Sequence, residues 1–148
     1  MNPFWKRLTG LTIADRYRLK QVVASDEAGA FFLASAGSEE IVVIRLVSED
    51  ADQLAFWERV RQLSHPHLQA LVDCGRAEVD GEAFVYAAFE NFDDNAAAAL
   101  QGGPMSAAEV REALKASAAA LSYLHENGMV HAAVAPEQIL AVGDEIKL

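Results

Sequence analysis

Histidine and cysteine are among the side chains that could bind a metal or act as a base or nucleophile, and the sequence holds four histidines and one cysteine. His65 and His67 flank Pro66, a spacing that fits no usual zinc pattern and is typical of a rigid turn. Cys74 has no base beside it, so we expect a small, buried and unreactive side chain. His131, in an alanine-rich stretch, is a candidate base. These residues alone do not predict a metal centre or a nucleophilic site.

The segment around His131 is more informative, because residues 131–140 read H-A-A-V-A-P-E-Q-I-L. This segment resembles the catalytic loop of protein kinases, H-R-D-L-K-P-E-N-[IV]-L. The resemblance implies that the functional positions have changed while the structural ones remain. Ala133 replaces the aspartate that accepts the substrate proton, Ala135 replaces a lysine, and Gln138 replaces the asparagine that holds magnesium. Alanine can neither transfer a proton nor bind a metal.

Six further segments resemble the kinase pattern in the family's order and at close to its spacing. They lie at residues 17–19, 31–34, 42–45, 57–68, 84–90 and 120–131. The resemblance implies an α+β fold: a kinase-like small lobe, with a five-stranded antiparallel sheet and helix C, followed by the first helices and the catalytic-loop region of the large lobe. It divides the chain into an N-terminal extension at 1–14, a small lobe at 15–90 and the start of a large lobe at 91–148, truncated before the D-F-G segment.

The positions that would hold the phosphates of a nucleotide depart from the family pattern. Of the three glycines in G-x-G-x-x-G only Gly29 is present, and Asp26 and Glu27 place two carboxylates where a triphosphate would need neutralising. Arg45 replaces the strand lysine. Phe56 stands where helix C would carry the glutamate that pairs with that lysine, so we expect Arg45 to have lost its partner.

The positions that would surround the adenine are bulkier than the family pattern. Phe31 follows the loop, Val43 replaces a small alanine, and Tyr86 stands at the gatekeeper position. Packed interiors have little spare volume, so we expect side chains to fill this cleft. The resemblance therefore predicts that ATP and magnesium do not bind, with Gly29, Phe31, Val43, Arg45 and Tyr86 as the remains of a nucleotide cleft.

Two functions follow from the resemblance. The first is a catalytically inactive kinase-like module, a pseudokinase, that acts as a protein-binding or regulatory scaffold. The alternative is a divergent nucleotide-binding protein or an atypical serine/threonine kinase, in which Arg45 clamps phosphate and Gln138 binds metal. The sequence offers no substitute for the catalytic aspartate, because Ala133 lies between Ala132 and Val134.

Charge and composition restrict the partners. The formal net charge is −10, although five of the twelve basic residues fall within the first twenty positions. An acidic chain disfavours nucleic acid and anionic membrane surfaces, so we expect a protein partner. One cysteine and the lack of an apolar run of about 18 residues suit a cytoplasmic protein. We expect the segment of Phe4 and Trp5 to pack on its own domain and not on a membrane.

Periodicity and capping residues predict the elements that position these sites. Strands are expected at 17–23, 30–34, 41–47, 69–74 and 83–89. A helix should begin after Asp50, bury Leu54, Trp57, Val60 and Leu63, and end at Pro66. A second helix should run from Ser106 to about Asn127, closed by Gly128, with a buried stripe formed by Val110, Leu114, Leu121 and Leu124.

This second helix also suggests self-association. In kinases it packs against later helices that this sequence does not contain, so an apolar stripe would lie partly uncovered. The expected members are Leu114, Leu121, Leu124, Met129 and Val130. Because contiguous exposed apolar patches usually mark interfaces, we expect a symmetric homodimer that buries this stripe.

Overall fold

The computed structural model describes residues 3–37, 40–92, 94–95, 101–129, 139–142 and 145–148. The chain forms two compact units that are discontinuous in sequence. The first comprises Met1–Leu63 and Ala70–Asn91, and the second comprises Ser64–Gln69 and Phe92–Leu148.

An antiparallel sheet forms the body of the first unit. Its strands are β1 (Thr12–Ile13), β2 (Tyr17–Ser25), β3 (Gly29–Ala36), β4 (Glu40–Ser48), β5 (Leu71–Val79) and β6 (Glu82–Glu90), in the order β1-β2-β3-β4-β6-β5. The five long strands are the five that the sequence predicts, and the two-residue β1 is an addition at the edge. A two-residue turn at Asp80 and Gly81 joins β5 to β6, and both residues have positive φ, as this tight hairpin requires. The predicted small-lobe fold is therefore confirmed.

Side chains of the central strands are buried on both faces of the sheet. Because strand residues alternate between faces, β6 sends Phe84, Tyr86 and Ala88 to one cluster and Val85, Ala87 and Phe89 to the other. The first cluster is covered by α1 (Pro3–Arg7) and is called the α1 face; the second is covered by α2 (Ala51–Arg61) and is called the α2 face. Burial on both sides accounts for the nearly continuous apolar sequence of β4 and β6.

The N-terminal segment packs on the α1 face. Trp5 and Leu8 are buried, and the Trp5 ring lies 6.4 Å from Phe32 and 6.1 Å from Phe84 between centroids. Phe4 stacks on Phe84 at 6.2 Å. The prediction that this segment packs on its own domain is confirmed.

Helix α2 begins as predicted and ends earlier than predicted. The Asp50 carboxylate accepts hydrogen bonds from the amides of Asp52 and Gln53, which caps the helix, and Leu54 and Trp57 are buried on the α2 face. The prediction that Pro66 ends the helix is wrong, because α2 stops at Arg61. There the amides of Gln62 and Leu63 bond to carbonyls three residues back, so the last turn tightens before the proline is reached.

The second unit contains α3 (Ala107–Glu126) and a sheet of short strands that the sequence does not predict: β7 (Asp94–Asn95), β8 (Leu140–Val142) and β9 (Glu145–Lys147). Helix α3 begins as predicted, because the Ser106 hydroxyl accepts a hydrogen bond from the Glu109 amide at 3.1 Å. It also closes as predicted at Gly128, whose φ of +73° suits a glycine.

The buried stripe of α3 differs from the prediction. Its buried residues are Ala113, Ala116, Ser117, Ala120 and Leu124. Val110 and Leu114 are exposed, Leu114 at 64%, so four of the five buried positions hold small residues and Leu124 is the one member of the predicted stripe that is buried. A row of alanines allows close packing against the helix, which a row of leucines would prevent. The stripe proposed for a homodimer is also interrupted, since Leu124 and Met129 are buried; Val130 lies outside the described residues, and the homodimer stays a prediction.

In the described part of the chain, no helix combines the length and apolar character needed to cross a bilayer.

Gly29 is required by the close approach of β3 to β4. A methyl group at this position would collide with the main-chain carbonyl of Leu46 and lie 2.7 Å from Cγ1 of Val47. We expect Gly29→Ala to lower the free energy of unfolding by about 1–3 kcal/mol, because the main chain of a central strand cannot move aside freely. Urea denaturation checks this. Ser25→Ala, at the neighbouring end of β2, should change the value by less than about 0.5 kcal/mol. An unaltered stability in Gly29→Ala would contradict the close approach.

Candidate functional site

The loop between β2 and β3 lies beside Arg45 of β4, and together they form what we call the loop site: Asp26, Ala28, Gly29, Phe31 and Arg45. The register places Phe31 directly opposite Arg45, so their side chains share one face of the sheet. The short loop turns back on itself through a hydrogen bond from the Asp26 amide to the Gly29 carbonyl at 2.9 Å. Strand pairing and this turn therefore bring the five residues together.

The Asp26 carboxylate is the centre of the loop site. Its Oδ1 accepts hydrogen bonds from the amides of Ala28 and Gly29, both at 2.9 Å. Arg45 Nη2 donates to both carboxylate oxygens, at 3.1 Å and 3.0 Å. Two main-chain amides and a guanidinium are the kinds of group that bind phosphate. Here they bind a carboxylate of the chain itself.

Among the described residues Arg45 pairs with Asp26 and with no carboxylate of α2, so the predicted loss of the helix partner agrees with the structure, but Arg45 is not left unpaired. Helix α2 has no carboxylate at position 56, where Phe56 is 43% exposed. The carboxylate that pairs with Arg45 comes instead from Asp26, in the loop between β2 and β3. From the sequence alone, Asp26 is expected only to repel phosphate, and its bond to Arg45 is not predicted. Pairing across two strands, which sequence spacing does not reveal, joins these two residues.

The guanidinium of Arg45 is held in a mostly buried position. Its side chain is only 15% exposed, and its Cζ lies 4.7 Å from the centroid of the Phe31 ring, a cation–π distance. Its Nη1 is buried and has no hydrogen-bond partner among the described residues. A buried donor without an acceptor destabilises the folded state. The Nη1 group of Arg45 is therefore available to donate a hydrogen bond to an oxygen atom of a ligand.

The electrostatics of the loop site favour the charged form of Asp26. Hydrogen bonding from Arg45 is the main cause that holds the pKa of this carboxyl below its usual value, and the amides of Gly29 and Ala28 act in the same direction. The carboxylate is therefore a permanent internal anion at neutral pH.

Val43 and Tyr86 do not share a face of the sheet. The register pairs Arg45 with Ala87 and Val43 with Phe89, so Ala87 lies on the α2 face with Arg45. Tyr86 pairs with Leu46 and is buried in the α1-face cluster. The prediction that Tyr86 lines one cleft together with Phe31 and Val43 is wrong, because Tyr86 lies on the opposite face of the sheet.

Tyr86 instead belongs to a polar cluster around Asp73 on β5. Asp73 Oδ2 accepts hydrogen bonds from the hydroxyls of Tyr17 at 2.8 Å and Tyr86 at 3.2 Å. Arg16 and Arg61 approach the same carboxylate at 3.8 Å and 3.6 Å. Burial, with the neighbouring carboxylate, raises the pKa of Tyr86 to about 12 and that of Tyr17 further. This cluster connects β2, β5, β6 and α2, and no spacing in the sequence predicts it.

The other residues that could do chemistry are placed as structural residues. Cys74 is half-buried against the α2-face cluster, and burial raises the pKa of its thiol, which disfavours the reactive thiolate. The His67 amide donates to His65 Nδ1 at 3.0 Å, and His67 Nδ1 lies 2.8 Å from the Ile146 carbonyl. These residues therefore form a turn, in which both histidines are partly buried. The described residues contain no group of side chains suited to a metal ion.

The predicted catalytic-loop positions, His131, Ala133, Ala135 and Gln138, lie outside the described residues. Their substitution pattern stays a prediction from sequence.

Comparison with known proteins agrees with the fold. The chain is 27% identical over 143 residues to serine/threonine-protein kinase PknA of Mycobacterium tuberculosis, a match that covers 88% of this chain and 33% of that protein. It is 30% identical over 139 residues to a probable serine/threonine-protein kinase of Corynebacterium efficiens, covering 86% of this chain and 21% of that protein. The chain thus spans between a fifth and a third of these relatives. No protein-family model matches it.

Solved structures of similar fold include the PknI kinase domain of Mycobacterium tuberculosis. Two crystal structures of that domain align with TM-scores of 0.74 and 0.73, at 23% and 24% identity, over 95% of this chain and 59% and 60% of the kinase domain. The resemblance to the protein kinase-like superfamily is confirmed: the chain has the fold of a kinase small lobe and the start of the large lobe.

The Asp26–Arg45 pair should make stability depend on acid pH. Because the folded pKa of Asp26 lies below its ordinary value of 3.8, its contribution to stability is complete above that value and is lost as pH falls through the folded pKa. We therefore expect Asp26→Asn to be less stable than the wild type at pH 7, with a difference that shrinks as the pH falls below about 4. Urea denaturation at several pH values measures it. Glu27→Gln removes the same charge one residue away and should show little such dependence.

Removal of the Asp73 carboxylate should be costly because two mostly buried hydroxyls then lose their acceptor. We expect Asp73→Ala to lower the free energy of unfolding by about 1–3 kcal/mol, and Glu78→Ala, exposed on the same strand, to have little effect. In a double-mutant cycle, Asp73→Ala and Tyr86→Phe should be less than additive in their destabilisation. Full additivity would show that the hydrogen bond contributes nothing.

Proposed function

We propose that this kinase-like chain is a pseudokinase module, which does not use ATP productively and acts as a protein-binding or regulatory scaffold. The observation that supports the proposal is the Asp26 carboxylate at the loop site. It accepts hydrogen bonds from the amides of Ala28 and Gly29 and from Arg45. An incoming phosphate would have to displace this carboxylate and would then meet its negative charge at short range.

The sequence of the catalytic loop supports the same proposal. Ala133 can neither accept a proton nor bind a metal, and Gln138 carries its amide oxygen one methylene further out than asparagine. The relatives that this chain resembles are named as kinases, so the proposal of inactivity depends on these changes in this chain and not on the comparison.

The alternative function, a divergent nucleotide-binding protein or atypical kinase, gains support from one observation. Ala87, and not Tyr86, lies opposite Arg45, so the α2 face is less crowded there than the sequence suggests. The buried Nη1 of Arg45 could also donate to a ligand oxygen, since it has no partner among the described residues. In this alternative, Arg45 leaves Asp26 and clamps phosphate, while Gln138 binds magnesium.

The partner that we propose is a protein in the cytoplasm. A net charge of −10 disfavours nucleic acid and anionic membranes, and a single half-buried thiol suits a reducing compartment. A second copy of the chain is one such partner.

The two functions differ in whether Asp26 excludes nucleotide from Arg45. For the 148-residue chain we expect any rise in melting temperature with millimolar ATP and magnesium to be the same in the wild type and in Arg45→Gln. We expect Asp26→Ala to gain an additional ATP-dependent rise, because the loop amides and Arg45 are then free. The double variant Asp26→Ala/Arg45→Gln should lose that gain. No labelled phosphate should be transferred to a generic acceptor.

A saturable ATP-dependent shift in the wild type that Arg45→Gln abolishes would overturn the proposal and favour the alternative. The same conclusion would follow from phosphate transfer that Arg45→Gln abolishes. Glu27→Ala is the matched control for Asp26→Ala, since it removes a carboxylate from the same loop without freeing Arg45.

A further inference from the structure

A concave site that is distinct from the loop site lies in the first unit, on the part of the sheet formed by β1, β2 and β3. The cavity has a volume of about 630 Å³, within the range of pockets that hold small ligands. Three cationic and three hydroxyl side chains line it: Arg16, Arg18, Lys20, Thr9, Thr12 and Ser35. None of the described residues that line it carries a carboxylate. We call this the basic cavity.

The strand register creates the polar row at its centre. Arg18 of β2 is paired with Thr12 of β1 on one side and with Ser35 of β3 on the other. Paired residues of neighbouring strands project from the same face, so a guanidinium is flanked by two hydroxyls. This arrangement presents several hydrogen-bond donors to one ligand.

Two of the three cations have no carboxylate partner in the described part of the chain. Arg16 approaches Asp73 at 3.8 Å, but no ion pair forms at Arg18 or Lys20. Both of these side chains lie on exposed positions of β2. The chain has 22 acidic and 12 basic residues, whereas the described residues that line this cavity include three cations and no carboxylate.

The wall of the cavity is held in place before any ligand arrives. The Gly10 amide donates to the Leu19 carbonyl at 2.7 Å, and the Leu19 amide donates to the Leu11 carbonyl at 2.9 Å. Gly10 has a φ of +94°, which lets the segment turn back onto β2. Leu8 and Leu19, which flank these bonds, are fully buried. A site held in this way loses less conformational entropy when it binds.

We propose that the basic cavity binds a phosphoryl group, carried by a small molecule or by a phosphorylated side chain. Arginine and lysine bind phosphate oxygens through charge-assisted hydrogen bonds, and hydroxyls supply further donors. This site is separate from the loop site in its residues, and it does not depend on whether the loop site binds nucleotide.

The proposal is tested with two probes on the 148-residue chain, inorganic pyrophosphate and a phosphothreonine peptide, each against sodium chloride at equal ionic strength. We expect saturable shifts of the amide NMR signals of Gly10, Thr12 and Gly37 with at least one probe. Arg18→Gln/Lys20→Gln should weaken the binding at least about tenfold, since two charge-assisted contacts are removed. Higher salt should weaken it as well.

A control variant separates this site from others. Arg111→Gln/Lys115→Gln removes the same charge from exposed positions of α3 and should leave the affinity within about twofold. Tighter binding of the peptide than of its unphosphorylated form would identify a phosphorylated side chain as the source; a response to pyrophosphate alone would identify a small molecule. Equal affinity in the wild type and in Arg18→Gln/Lys20→Gln, or no response beyond that to sodium chloride, would overturn the proposal.

Discussion

Burial of the central strands on both faces is the constraint on which the first unit depends. With α1 on one side and α2 on the other, most side chains at the middle of β4 and β6 are buried, and even the Arg45 side chain is only 15% exposed. A polar group placed there must find its partner within the sheet or lose free energy. Arg45 satisfies this requirement through a loop carboxylate and an aromatic ring, and Tyr86 satisfies it through a carboxylate on the neighbouring strand.

These two solutions have different consequences for ligand binding. The Asp73 cluster connects strands to a helix and uses its acceptors internally, so it contributes to stability. Asp26 lies in the loop between β2 and β3 and is more than half exposed, whereas its partner Arg45 is mostly buried. A ligand could therefore compete for Arg45 there. The two proposed functions therefore differ in how strongly Asp26 competes with a phosphate group for Arg45.

Much of the fold could be predicted from the sequence because its signals are local. Alternating or continuous apolar runs predict the five long strands, and capping residues locate the starts of both long helices. The candidate site was predicted less completely, since its geometry depends on register. Tyr86, which is expected in the cleft with Phe31, lies on the α1 face. The Asp26–Arg45 pair joins residues 19 positions apart, so no local pattern predicts it. The inward face of α3 was missed because alanine is a weak hydrophobic signal, although alanines permit the closest packing.

The division of the chain into two units has a practical consequence for dissection of the protein. Residues 64–69 belong to the second unit although both flanking segments belong to the first. They are bonded to the far end of the chain, where the Leu148 amide donates to the His67 carbonyl at 2.8 Å and the Gln69 amide donates to the Leu148 carbonyl at 3.0 Å. No single cut can therefore release either half intact. A fragment that stops near residue 91 would contain residues 64–69 without Leu148, to which they bond. The remaining fragment would contain Leu148 without these hydrogen-bond partners.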